Sequence, residues 1–221
     1  THLAIGLAMR ACQAGHRVLF ATASQWVARL ADAHAAGRLQ TELVRLGRYP
    51  LLVVIHGGPT GVSRPTPYGS ASYYPIDLFL AKGALVLEPN YRGSAGYGEK
   101  FRSLNVRNLG IGDAWDVLSG IDALVQQGLA DRDRVGSMGW SQGGYISAFL
   151  TTRHADRFKA ISVGAGISDW MTYYVNTDIH PFTRQYLNAT PWDDPEIYAK
   201  TSPMTYIKGA KAPTLIQHGA A

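Results

Sequence analysis

Apolar positions along this chain follow two rhythms, a 3.6-residue repeat and short unbroken runs. Leu3, Ala4, Ile5, Leu7, Ala8 and Ala11 follow the first and predict a helix over 3–14, stopped by Gly15. Val18–Ala21 reads as a short strand. An alanine-rich helix is expected over 24–36 with Ser24 as its N-cap, and another over 38–46 after Gly37. Leu51–Ile55 is an unbroken apolar run, the composition of a strand buried on both faces. Further strands are expected at Ala84–Leu87, Val135–Gly139, Ala160–Val163 and Pro213–Gln217. Helices are expected over 73–82, over 113–127 between an Asp113 cap and a Gly128 stop, and over 142–152. Residues 168–206 read as irregular, aromatic and punctuated by proline. Strands alternating with helices of this length predict an α/β fold with a doubly wound, mainly parallel sheet.

Composition narrows the class. Apolar residues make up 46% of the 221 and charged residues 17%, which is globular and not disordered. Arg10 interrupts the apolar start Thr1–Met9 too early for a membrane span, and a secretory leader would place its basic residues first. A soluble, cytoplasmic protein with no membrane partner is therefore expected. The single Cys12 rules out a disulfide framework and a thiolate metal cluster, and is expected to be a small buried residue of the first helix. No motif requires a cofactor or a metal. The first residue is Thr1 and the last follows an apolar run, so both ends are expected to be cut ends.

The net charge of +5 is unevenly spread. Residues 1–49 hold six arginines against Asp32 and Glu42, leaving fifteen basic and fourteen acidic side chains for residues 50–221. A basic segment suits nucleic acid, but a solvated helix face has the same composition more often, so nucleic acid is not expected as a partner. The pattern carries no information on oligomeric state.

The chemistry concentrates at Gly139-Trp140-Ser141-Gln142-Gly143-Gly144, a G-x-S-x-G sequence between a predicted strand and a predicted helix. That context is the nucleophile elbow, a strained turn that lifts a serine above the sheet edge. The flanking glycines avoid Cβ clashes in the tight turn. The helix beginning at Gln142 turns its N-terminus toward a developing oxyanion. His56-Gly57-Gly58-Pro59 follows the strand Leu51–Ile55, and such a loop can supply a second N–H. Gly58 is favoured over Gly57, with Gln142 N–H as the other donor. His56 is expected to buttress this loop and not to act as a base. Trp170, Tyr173 and Tyr174 are candidates for an acyl or side-chain pocket, with core or lid packing the equal alternative.

Asn90-Tyr91-Arg92-Gly93-Ser94-Ala95-Gly96-Tyr97-Gly98 resembles a loop of the prolyl oligopeptidase and acylaminoacyl peptidase family. So do Asp113–Asp116 with Val117 and Gly120, and Asp133-Arg134-Val135-Gly136 leading into the elbow. Ser202-Pro203 and Ala212–Gly219 resemble the approach to the family's acid loop. The similarity is collinear over residues 50–221. It implies an α/β-hydrolase domain, incomplete at its C-terminus, with Ser141 as the nucleophile of a Ser–Asp–His triad. The implied aspartate would follow His218-Gly219 by a few residues and the histidine would lie some tens of residues further, both past Ala221. His154, His180 and His218 are poor substitutes. A serine without its base loses on the order of a millionfold in turnover, so weak activity is expected. The family's gating propeller is absent before residue 50, so small acyl esters and short peptides should reach Ser141 readily.

Thr1–Leu7, Gly15–Phe20, Leu39–Leu46 and Leu51–Val54 resemble the IstB-like helper ATPases of transposition. Those proteins would carry a phosphate loop immediately before Thr1 and an acidic residue after Val54, where Ile55 stands. Without these groups nothing cradles the phosphates, and ATP binding is not expected. Leu51–Val54 fits both families, so residues 1–49 read as an ATPase fragment joined to a hydrolase domain over 50–221. The principal expectation is a serine hydrolase acting on a small peptide or ester. The rivals are a nucleic-acid-associated transposition accessory and an inactive chimeric fragment.

Overall fold

The run at Leu51–Ile55 forms most of strand β1 (Tyr49–Ile55), and its side chains alternate between two cores. Leu51, Val53 and Ile55 enter the larger cluster, with Val117, Ile146 and Phe149. Leu52 and Val54 enter a smaller one with Ile76. Burial on both faces is what a parallel strand covered by helices requires, and it explains the unbroken apolar sequence. The computed structural model describes residues 9–10, 13, 21–42, 49–64 and 74–219. The expected helix over 3–14, Cys12 and the strand Val18–Ala21 lie largely or wholly outside them.

The chain forms two compact units, Thr1–Arg48 and Tyr49–Ala221. The first contains α1 (Ala23–Ala35). Its N-cap is Thr22, not Ser24: Thr22 Oγ1 accepts from Gln25 N at 3.2 Å, and Gln25 Oε1 accepts from Thr22 N at 2.8 Å. This reciprocal capping box satisfies two backbone donors, and it places Ser24 inside the first turn. Residues 39–42 are helical again, and Arg29 pairs with Glu42 at 2.5 Å.

The second unit carries a five-stranded, all-parallel sheet in the order β2-β1-β3-β4-β5. The added strands are β2 (Leu85–Leu87), β3 (Ala130–Trp140), β4 (Ala160–Gly164) and β5 (Thr214–Gln217). β3 begins five residues before the expected Val135, because Ala130 pairs with Tyr49 across a register shift. β5 is an edge strand, with Leu215 59% and Ile216 71% exposed.

α2 (Ile76–Ala81) starts later than the expected residue 73, since Pro75 disfavours helical backbone at Tyr74. After the turn α3 (Glu99–Arg102) comes α4 (Gly112–Gln126), capped by Ile111 and followed by Gly128 at φ 74°. Asp113 is therefore inside α4, not its cap, and is fully buried. α5 (Gln142–Arg153) packs between β3 and β4.

Residues 168–206 are helical, contrary to the irregular reading. They form α6 (Trp170–Asn176), α7 (His180–Leu187) and α8 (Pro195–Thr201). Asp169 and Asp194 cap α6 and α8, Pro181 and Pro195 lie in first turns, and left-handed Asn188 ends α7. Each helix is about two turns long, too short for periodicity to announce it.

Candidate active site

β3 delivers the chain to Ser141, which stands exposed at φ 58°, ψ −119° before α5 begins. A positive φ at a residue with a Cβ stores on the order of 1–3 kcal/mol, and the surrounding structure must hold it. Ser141 N donates to Gly164 O at 3.0 Å, and Tyr145 N donates to Ser141 O at 2.9 Å. The glycines permit the tight approach: a Cβ on Gly139 would lie 2.8 Å from Gly143 Cα. Trp140, half exposed, packs against Gly164.

The loop after β1 runs beside this turn. A Cβ on Gly57 would lie 3.4 Å from Ser141 Cβ and 3.9 Å from Gln142 N. Gly57 O accepts from Gly61 N at 3.2 Å and faces His56 Nδ1 at 2.8 Å. In a trans peptide C=O and N–H point opposite ways, so Gly58 N–H is directed away from His56 and Gly61. Gln142 N is the first amide of α5 and has no intrahelical acceptor. Among the described residues neither Gly58 N nor Gln142 N has a hydrogen-bond acceptor.

His56 is tied on every side. Its ring stacks on Tyr91 at 4.4 Å, and its carbonyl accepts from Tyr91 Oη at 2.9 Å. Nε2 lies 2.9 Å from Ser94 Oγ, which donates to Tyr91 O at 2.6 Å. A carbonyl only accepts, so Nδ1 carries a proton toward Gly57 O. Burial lowers the His56 pKa against the opposing Gly57 contact and Glu88 charge, and the net shift favours the neutral ring. Asn90 clamps the same loop, accepting from Ser63 N at 2.8 Å and donating to Ser63 O at 2.9 Å. The supporting roles of Asn90, Tyr91 and Ser94 were not read from the sequence. Their signal was the Asn90–Gly98 motif itself, which sequence alone tied to a family but not to a contact.

Other predicted residues lie as follows. Trp170 is fully buried, edge-on to Tyr145 at 5.1 Å, and is a core ring instead of a pocket wall. Tyr173 meets Trp170 at 5.6 Å and is half-buried. Tyr174, half-buried, centres an aromatic group with Trp192, Tyr198 and His180. The Gln142 side chain is buried, and its amide has no partner among the described residues.

Among the described residues no histidine is hydrogen-bonded to Ser141. His180 Nδ1 lies 3.2 Å from Tyr174 O, and His218 Nδ1 lies 3.4 Å from Gly219 O. His154 follows the last residue of α5, about 20 Å of helix rise from Ser141. Nor, among the described residues, does any group of three or more His, Cys, Asp or Glu gather to hold a metal, and no helix is long and apolar enough to cross a membrane. The site therefore presents an exposed hydroxyl beside the Gly57 loop and the N-terminus of α5, an arrangement suited to attack on a carbonyl.

Comparison with known proteins agrees with this chemistry. Residues 71–221 match the prolyl oligopeptidase family, and residues 1–65 match IstB-like ATP binding protein. The chain is 33% identical over 173 residues to an uncharacterized peptidase, YuxL, of Bacillus subtilis, covering 77% of this chain and 25% of that protein. It is 30% identical to acylamino-acid-releasing enzyme 2 of Oryza sativa, covering 78% of this chain and 23% of that one. Acylaminoacyl peptidase of Pyrococcus horikoshii superposes with a TM-score of 0.67 at 36% identity, over 78% of this chain and 28% of its own. A puromycin-hydrolyzing peptidase of Mycobacterium tuberculosis gives 0.69 at 29% identity, over 78% and 25%. The chain thus spans about a quarter of the length of the curated relatives it matches. With an α/β-hydrolase sheet, a serine on a strained strand-to-helix turn and this match over residues 71–221, the chain belongs to the prolyl oligopeptidase family.

Proposed function

We propose that Ser141 is the nucleophile of a serine hydrolase that cleaves a small peptide or ester through an acyl-enzyme. The observation that supports this best is the elbow at φ 58°, with its hydroxyl exposed beside Gly57 and the α5 N-terminus. In this reading Ser141 Oγ attacks the carbonyl carbon, and the oxygen's new charge is held by Gly58 N–H and Gln142 N–H. The serine proton must leave to a base, and the leaving group must receive one. No described histidine stands at that position, so turnover by this chain alone is weak. Tyr173 and Tyr174 are the pocket candidates that retain exposed surface. The reading takes residues 1–49 as an ATPase-like segment and residues 50–221 as the hydrolase domain. The reading includes a cytoplasmic location, which cell fractionation would check.

A fluorophosphonate probe tests the assignment by mass. A single adduct on the wild-type chain that is lost in Ser141→Ala supports it. An adduct that survives the substitution sinks it, as does a folded chain that never reacts.

A further inference from the structure

A cavity of about 470 Å³ lies between the first turn of α4 and the last turns of α5. Its walls include Arg92, Asn108, Gly112, Trp115, Arg153 and His154, and no carboxylate lines it. Ser141 heads the opposite end of α5 from Arg153, about 18 Å of helix rise away. This pocket is therefore not the elbow.

Two donors converge at its floor. A Cβ on Gly112 would lie 2.6 Å from Arg92 Nη1 and nearer still to Asn108 Nδ2. The guanidinium of Arg92 is fixed, because its Nε and Nη2 donate to Asp116 at 2.8 and 2.7 Å. Those bonds leave Nη1 turned toward the Gly112 side. Asp116 neutralises the charge of Arg92, so the uncompensated charge comes from Arg153. That guanidinium sits 4.7 Å from the Tyr206 ring centroid and pairs with no carboxylate among the described residues. Asp113 lies behind the floor, fully buried, and adds negative charge only when ionised. His154, whose pKa burial lowers, adds a ring nitrogen and little charge at neutral pH. Phe149, Leu118, Ile111 and the largely exposed Trp115 supply apolar wall.

We propose that this cavity binds a small carboxylate with an aromatic or aliphatic body. The carboxylate meets Arg153, Arg92 Nη1 and Asn108 Nδ2, and the body lies along Trp115 and Phe149. A planar guanidinium matches a carboxylate better than it matches a neutral amide. The site is separate from the Ser141 reading and is tested without it.

The test uses the full chain with Ser141→Ala, titrated with N-acetylphenylalanine and then with its amide, followed by backbone amide NMR shifts. Saturable shifts at Gly112, Trp115 and Arg153, with the acid binding at least about tenfold tighter than the amide, are expected. Arg153→Gln should weaken the acid about tenfold or more, and so should Asn108→Ala, which keeps every charge. Spectra unchanged elsewhere would show that both variants remain folded. Equal binding of acid and amide overturns the proposal. So do shifts centred on Gln142 and Gly57, binding indifferent to both variants, or no saturable binding.

Discussion

A Cβ on Gly143 would stand 2.8 Å from the carbonyl carbon of Ile55 and nearer still to its oxygen. The last residue of β1 and the second residue of α5 thus touch backbone to backbone, and this contact brings the Gly57–Gly58 loop alongside Ser141. Neither backbone can give way, since Ile55 is paired in the sheet with Gly139. Gly143→Ala should therefore destabilise the fold by about 1–3 kcal/mol and abolish labelling of Ser141. Gly120→Ala is the contrast. Its Cβ meets only Leu87 Cδ2 at 3.2 Å, the end of a flexible side chain, within α4. There the gain in helix propensity, up to about 1 kcal/mol, should leave stability equal or higher. Urea unfolding of the two variants checks both signs.

Ser141 offers a second test of the elbow. Its φ of 58° with ψ of −119° suits glycine far better than alanine or serine. Ser141→Gly should unfold at higher denaturant than Ser141→Ala by about 1 kcal/mol, although both lose the nucleophile. Equal midpoints would mean that the turn holds no such strain.

Much of this architecture was legible in the sequence because burial forces a pattern. The run at Leu51–Ile55 announced a doubly covered strand, and Gly139–Gly144 announced the elbow. What escaped notice depends on contacts between distant segments. His56 and Ser94 are 38 positions apart, and nothing local to either says that Nε2 meets Oγ. Asp113 looked like a helix cap because aspartate favours that position. Tertiary packing instead placed it within the first turn and fully buried. Trp170 sits in a segment whose short helices show no period, so its burial against Tyr145 had no sequence signal.

Asp113 predicts a pH dependence of stability. Its carboxyl is raised from 3.8 to about 7, mainly by burial, with the Ala114 and Gly110 amides opposing. A raised folded-state pKa means the folded chain holds the proton more tightly than the unfolded one. The contribution is fully present below 3.8 and is lost as pH rises toward about 7. Asp113→Asn removes the ionisation. The stability of this variant relative to wild type should therefore rise between pH 4 and 7 and level off above. A flat difference across that range would remove Asp113 from the account.

His56 titrates with the opposite sign and links stability to the site. Its folded pKa lies below the ordinary value of 6.5, so its contribution is complete above 6.5 and is lost as pH falls through the folded value. Protonation would also turn Nε2 into a donor toward Ser94, while Nδ1 keeps its bond to Gly57 O. Removal of the ring has a larger effect, because Gly57 O then keeps only Gly61 N and the Gly57–Gly58 peptide can rotate. His56→Ala should slow fluorophosphonate labelling of Ser141 by roughly tenfold or more, a fraction of the 10²–10³ associated with losing one oxyanion donor outright. Ser94→Ala leaves the Nδ1 bond in place and should slow labelling much less. Ser94 gives its one proton to Tyr91 O and can only accept from a protonated Nε2, so its loss should lower the folded pKa of His56 further and deepen the acid limb of the stability profile. Labelling rates for the two variants, with their unfolding midpoints from pH 5 to 8, separate a positioning role from simple loss of packing. If both variants label at the wild-type rate, His56 does not set the direction of Gly58 N–H.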